Sequence, residues 1–403
     1  MTKIVDIEDI RKKREKKEIG IPIENINKKE LKRRGHEIGD ILGCDEKGEE
    51  ICVRKGKGNL YVDGDMEKEQ LFDFMRSQIY QNIQRGDSMV IVDLGSRIYK
   101  RELWIYLTIH GYRVDSYNMD CMTESDCFNC LDGLGAENEE QIVMIANDII
   151  DDQKYKFMTY PVETACKALL SAVLLASLTE MEESDRNMLE IATIFRLGVS
   201  GTMLDKILHV MFEELDETSS AKQLFAMYSE AEEGIRMEAI QKIGNALAVY
   251  EKRANGSLCD NFRTNRYDME MPVKEKSVLF IESGQLPEDK VLFSVFMERL
   301  YDSMLKKAEE RQQDVTVMLL DYPYYGGLCG LEKYMEEGPE KGICTTLYED
   351  DRKLDGSGYA PHLVELYSLC DISVCIKDTE IPLCEIEKCE NPVTGECSKR
   401  KDG

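Results

Sequence analysis

The stretch Asn59-Leu60-Tyr61-Val62-Asp63-Gly64-Asp65-Met66-Glu67-Lys68-Glu69 decides how the rest of the chain is read. Asn59–Val62 reads as a short strand, Asp63-Gly64-Asp65 as a turn, and residues 66–84 as a helix. A second strand, Ser88-Met89-Val90-Ile91-Val92, ends on Asp93. Strand, tight turn, helix, strand is the unit on which phosphate-binding loops are built, with the helix N-terminal amides turned toward the anion. A working loop of that kind reads G-x-x-x-x-G-K-[ST], whereas this chain has Gly64-Asp65-Met66-Glu67-Lys68-Glu69. Lys68 is placed to reach a β- or γ-phosphate, but Glu67 and Glu69 flank it and Asp63 and Asp65 precede it. Carboxylates suit a helix N-terminus on dipole grounds, so the same residues also read as an ordinary acidic helix start. They would repel a triphosphate, and Glu69 stands where a Ser or Thr hydroxyl would join a magnesium shell. Without the glycines and the hydroxyl the loop lacks the means to cradle phosphates, which disfavours ATP and magnesium there.

Outward from this unit the periodicity continues to alternate. Residues 38–53 read as a hairpin, 100–111 as a helix with Leu103, Trp104 and Leu107 on one face, and 112–117 as a strand. From Glu139 to Lys252 the spacing is helical throughout: 140–151, 161–178, 185–196, 203–213 and 222–252. Strands return at Ser277–Ile281, at Val315–Asp321, at 343–347 and at 372–376, with helices at 289–311, 331–336 and 362–369 between them. Strands alternating with helices predict a mainly parallel α/β sheet, here interrupted by an all-α insertion, with its two halves joined in space. The expected parts are a basic flexible arm (1–36), a first α/β half (37–135), an all-α domain (136–271), a second α/β half (272–383) and an irregular tail (384–403).

The 403 residues carry 52 basic against 78 acidic side chains, a net charge of −26. Such a surface repels phosphate backbones, which argues against a protein that grips DNA along its body. Positive charge is gathered in residues 11–17 and 28–34, so DNA contact, if any, falls to that arm. The longest apolar run, Ala168–Leu178, is broken by Ser171 and Ser177 and falls short of a membrane span. No apolar signal core opens the chain, and the expectation is a cytoplasmic protein with reduced cysteines. Cys127-Phe128-Asn129-Cys130 has a zinc-like spacing but no second pair at the usual distance. The groups Cys121, Cys127, Cys130 and Cys384, Cys389, Cys397 therefore read as ordinary thiols, and no metal site is expected. His36, His110, His209 and His362 sit in separate segments, and no G-x-S-x-G, H-E-x-x-H or G-x-G-x-x-G occurs.

Asp321 closes an apolar strand, as an aspartate must if it is to hold magnesium in a nucleotide site. The residues after it, Tyr322-Pro323-Tyr324-Tyr325, offer no general base at neutral pH.

The order of parts from Ile38 to Lys377 resembles the TraG/TraD type of conjugative coupling protein, the RecA-like ATPases of type IV secretion akin to the FtsK and HerA pumps. Local stretches carry the likeness too. Leu42–Gly48 resembles the hairpin before the phosphate-loop strand, and Met89–Asp93 the strand bearing an Asp-Pro-Lys-Gly motif. Gly111–Val114 through Phe128–Leu131 resembles the next strand and its loop. Tyr160–Leu178 and Ala221–Ala254 resemble two helices of the all-alpha domain. Ser277–Ile281 and Val315–Asp321 resemble paired core strands, and Ser368–Ile372 a late Asn-Cys-Asp strand entry. The departures fall on the chemistry. Gly-Lys-Thr is Glu67-Lys68-Glu69, Asp-Pro-Lys-Gly is Asp93-Leu94-Gly95-Ser96, the glutamate after Asp321 is Tyr322, and the sensor glutamine falls at Glu349. The N-terminal membrane helices of many members are absent. Of the nucleotide-handling set Lys68 and Asp321 remain, and the resemblance implies a pseudo-ATPase. Such a chain would act by binding other transfer proteins, an active coupling ATPase among them, with an oligomer possible. An atypical working translocase and an acidic adaptor unrelated to conjugation are the alternatives.

Overall fold

The computed structural model describes residues 40–44, 50–53, 58–64, 75, 78–83, 85–93, 98–119, 125–151, 158–196, 201–254, 262–282, 289–320, 328, 330–350, 366, 368–375, 388–391 and 396–398. The chain divides into two units: residues 1–116, 269–282 and 300–403, and residues 117–268 and 283–299.

The first unit is built on a seven-stranded sheet. Its strands are β3 (Asn59–Gly64), β4 (Ser88–Asp93), β5 (Arg113–Asn118), β6 (Ser277–Glu282), β7 (Val315–Leu319), β8 (Ile343–Asp350) and β9 (Cys370–Cys375), in the order β5-β6-β4-β7-β8-β3-β9. The pairings β4–β6, β4–β7, β7–β8, β8–β3 and β3–β9 are all parallel. Every residue of β4 and of β6 is buried, which is why these strands read as unbroken apolar runs: a parallel sheet is covered on both faces. None of β3, β4 and β5 neighbours another. Each early strand is flanked by later ones, so the two sequence halves interleave in one sheet. The strands β6 and β7, read as a pair, are separated by β4. The expected hairpin is present as β1 (Asp40–Cys44) and β2 (Glu50–Val53), antiparallel.

Asn59, 1% exposed, fixes the start of β3. Its Nδ2 donates to the carbonyls of Met335 (2.6 Å) and Leu369 (3.2 Å), and its Oδ1 accepts from the Thr345 amide (2.9 Å). One side chain thus registers β3 against β8 and the entry to β9. A second buried amide, Asn82, accepts at Oδ1 from Arg85 and Thr316 and donates to the Gln78 carbonyl. Ser88 joins the feet of β4 and β6, donating to the Glu275 carbonyl and accepting from the Ser277 amide.

Helix α1 (Ile98–Ile109) crosses from β4 to β5 and buries Leu103 and Leu107. Trp104, expected on the same face, is 39% exposed. Residues four apart share a helix face, whereas the next residue is turned about 100° away. Gly111, at φ +77°, lets the chain leave the helix in a left-handed turn.

The second unit is helical: α2 (Glu139–Asp151), α3 (Tyr160–Glu180), α4 (Met188–Arg196), α5 (Gly201–Glu213), α6 (Ser220–Ser229) and α7 (Glu233–Ala254). Among the described residues α3 is long and apolar enough to cross a membrane by length and composition, yet 72% of its apolar window is buried, against α2, α6 and α7. The single helix expected over residues 222–252 is two, broken at 230–232, where the Glu230 amide still bonds back to the Ala226 carbonyl and the chain then turns. Arg236 holds that turn, donating to the Ala231 carbonyl (2.7 Å) and pairing with the buried Asp205, which also accepts from the Tyr228 hydroxyl at 2.7 Å. Aromatic packing fills the unit elsewhere: Tyr117 stacks on Phe296 with ring centroids 4.0 Å apart. The tail expected to be irregular carries an antiparallel pair, β10 (Lys388–Asn391) and β11 (Glu396–Ser398), with Cys389 opposite Cys397 in the register.

Asn59→Ala strips three backbone groups of their partner. Unfolding by denaturant is expected to show a loss of about 3 kcal/mol, the range for buried polar groups left unpaired. A second expectation concerns acid. Burial works to raise the Asp205 pKa, but hydrogen bonds from Arg236 and Tyr228 outweigh it and the net shift is downward from 3.8. A lowered folded-state value gives stability that is present above the unfolded value and lost as pH falls through the folded one. Stability should therefore drop below about pH 3.8, and Arg236→Met should flatten that drop when melting is followed against pH.

Candidate functional site

In a parallel sheet flanked by helices, ligands bind outside the carboxyl ends of the strands. At that edge β3 ends on Gly64, β4 on Asp93, β6 on Glu282 and β8 on Asp350. The register sets Asp63 opposite Glu349, Gly64 opposite Asp350, and Asp93 opposite Glu282. Gly64 and Glu349 therefore stand together at neighbouring strand ends. Asp93 lies on the same edge but three strands away, roughly 14 Å at the usual strand spacing. Asp65, Glu67, Lys68, Glu69, Asp321 and Tyr322 lie outside the described residues, although β7 runs to within two residues of Asp321.

One cluster at this edge went unread in the sequence. Glu282, 3% exposed, accepts at Oε2 from Lys100 Nζ (2.7 Å) and from Ser116 Oγ (3.0 Å). Lys100 Nζ also donates to Ser116 Oγ at 2.8 Å and lies 5.8 Å from the Trp104 ring centroid. Asp93, 2% exposed, stands beside Glu282 across the β4–β6 ladder. Two neighbouring carboxylates at a buried edge need positive charge, and Lys100, from the first turn of α1, supplies it. The Ser116 hydroxyl donates to the carboxylate, so the trio reads as a buried ion pair with a hydroxyl bridging its two charges. The signal for it lay in the chain: Glu282 is the first charged residue after five from Ser277 to Ile281.

The other chemistry-bearing residues are dispersed. His110 is exposed and bonds through Nδ1 to the Tyr106 carbonyl, while His209 does the same to the Asp205 carbonyl. His36 and His362 lie outside the described residues. Cys127 and Cys130 are buried, and burial pushes the Cys130 thiol up to about 12, so it stays protonated. Among the described residues no three His, Cys, Asp or Glu side chains are grouped to hold a metal ion.

Several solved structures are similar to this chain, and those described are forms of one protein. The trigonal form of the bacterial conjugative coupling protein TrwBdeltaN70 in complex with sulphate matches 86% of this chain and 74% of that one, at 15% identity and a TM-score of 0.60. The unbound monoclinic form matches 85% and 74%, at 16% identity and 0.58. The plasmid coupling protein TrwB with the non-hydrolysable ATP analogue ADPNP matches 85% and 76%, at 14% and 0.57. At such identities the likeness is one of fold, and the fold is a RecA-like α/β core with a helical insertion. The sequence matches no family model and no curated protein sequence.

Lys100→Met should destabilise the protein by about 3–5 kcal/mol, because it leaves a buried carboxylate unpaired. Adding Glu282→Leu should return most of that loss. A double-mutant cycle by denaturant unfolding checks both steps.

Proposed function

We propose that this chain is a catalytically silent relative of the TraG/TraD-type coupling ATPases, acting as a binding or regulatory component of a conjugative or related type IV secretion system. The observation that carries this reading is the pairing of a coupling-protein fold with the sequence Gly64–Glu69. The strand β3 leads to the position where such a fold would cradle phosphates, and there the chain has Asp65, Glu67 and Glu69 in place of glycines and a hydroxyl. Tyr322 in place of a glutamate, Glu349 in place of a glutamine and Asp93-Leu94-Gly95-Ser96 in place of Asp-Pro-Lys-Gly support the same conclusion. The net charge of −26 favours basic protein partners over DNA, and leaves DNA contact to the basic residues before position 36. An active coupling ATPase is the partner that shared ancestry would offer, and the cytoplasm is where such a component would work.

The rival reading is a working DNA translocase that builds its site from Lys68 and Asp321 with unusual neighbours. A thermal-shift titration separates the two. A ligand at 100 times its Kd adds about 2.7 kcal/mol to folding stability, and the expected result with ATP and magnesium is no shift. A magnesium-dependent shift that Lys68→Ala abolishes, or DNA-stimulated ATP turnover that Asp321→Ala abolishes, would establish the translocase instead.

A further inference from the structure

The strands β10 and β11 form a sheet of their own, with no third strand beside them. Two strands alone are marginal in water, and these are only four and three residues long. Their sequences, Lys388-Cys389-Glu390-Asn391 and Glu396-Cys397-Ser398, contain no aliphatic or aromatic residue to hold them together. In each strand the cysteine is the one residue that is neither charged nor an amide or alcohol. The register sets these two cysteines directly opposite one another.

Opposed residues of an antiparallel pair share one face of the ladder, with Cα atoms about 4.5–5.5 Å apart whether or not the pair exchanges hydrogen bonds. A disulfide spans about 4.4–6.8 Å between Cα atoms, so the backbone need not move to be bridged. Elsewhere the ladders offer no such match. Cys44 stands opposite Glu50, Cys52 opposite Ile41, Cys344 opposite Thr316, Cys370 opposite Asn59 and Cys375 opposite Asp63. Structural zinc would call for four donors, and this register supplies two. A disulfide needs no more than those two.

We propose that Cys389 and Cys397 are a peroxide-responsive dithiol that closes a disulfide across β10 and β11 and reopens under reducing conditions. Where thiols are otherwise kept reduced, disulfides of this kind form transiently and sense redox state. One thiol takes an oxygen from hydrogen peroxide and becomes a sulfenic acid, as the O–O bond breaks and water leaves. The second thiol attacks that sulfur, forming the S–S bond and releasing a second water. Two thiols and one peroxide thus give one disulfide and two waters. A dithiol reductant reverses the step by exchange and is itself oxidised to a disulfide. The closed bond makes a ring through the connecting residues, Pro392 and Gly395 among them, and fixes the hairpin in one register. The inference rests on this ladder alone and holds whether or not the chain handles nucleotide.

The test uses the full chain, reduced, then treated with a slight excess of hydrogen peroxide, its remaining thiols capped with N-ethylmaleimide. Glutamyl endopeptidase cuts after Glu387, Glu390 and Glu396, so mass spectrometry should show residues 388–390 joined to residues 397–403. This linked pair should exceed Cys389 joined to Cys384 by about tenfold or more, because the folded register raises the effective concentration of one thiol at the other. Dithiothreitol should remove it, and Cys384→Ser should leave it unchanged. In chain unfolded with guanidinium before oxidation, Cys389 should divide between Cys384 and Cys397, which are both near in sequence. The same ratio in folded and unfolded chain would overturn the proposal, as would finding both cysteines capped after oxidation. So would zinc that copurifies with the chain and is lost in Cys397→Ser, since the thiols would then be metal ligands.

Discussion

The placement of β3 depends on Asn59. A strand of six residues with later strands on both sides needs its register fixed from both, and a side-chain amide has the donors and the acceptor to do it. Nδ2 reaches two carbonyls and Oδ1 one amide, drawn from β8, from the helix before it and from the turn into β9. An apolar residue would pack in the same space but leave three backbone groups dry and unpaired. Asn82 and Ser88 repeat the device at the next strand, which makes buried amides and hydroxyls, more than ion pairs, the positioning elements of the sheet.

The ion pairs do a different job. Lys100 offsets the crowding of Glu282 and Asp93 at one end of the strand edge, and Arg236 neutralises Asp205 within the helical unit. Each is a buried carboxylate served by one cation and one hydroxyl, Ser116 in the first case and Tyr228 in the second. A partly buried pair of this sort adds little over an apolar replacement but is costly to break in half. Their value lies in specifying which element meets which: α1 against the β5–β6 end of the sheet, and the turn after α6 against α5.

The fold class was legible because strands buried on both faces read as apolar runs, and β4 and β6 are such runs. Strand order was not, because an apolar run says nothing about its lateral neighbours. That is why β6 and β7 looked like partners when β4 lies between them. Residues 222–252 looked like one helix because Glu and Ala at 230–232 favour helix; the break depends on Arg236 and Asp205, a tertiary contact. The hairpin near the end escaped notice because Lys388–Asn391 and Glu396–Ser398 lack alternation. Of the residues singled out for the site, Gly64, Asp93 and Glu349 lie at the carboxyl-end edge of the sheet, which only the strand order reveals. The Lys100–Ser116–Glu282 cluster was missed because its members are spread over more than 180 positions and only the sheet joins them.

The interleaved sheet has a consequence for how the chain is made. Of the seven strands of this sheet, β3, β4 and β5 emerge first from the ribosome, and not one of them can pair with another in the finished order. Asn59 waits for Thr345, 286 residues later, an interval of roughly 15–55 s at ordinary rates of synthesis. The strands β4 and β5 have no partner until β6 is made, and β3 has none until β8, while the helical insertion, whose contacts are nearer in sequence, can close as soon as it is complete. The helical insertion can thus close before the sheet is complete, and β3 is the early strand left longest without a partner during translation.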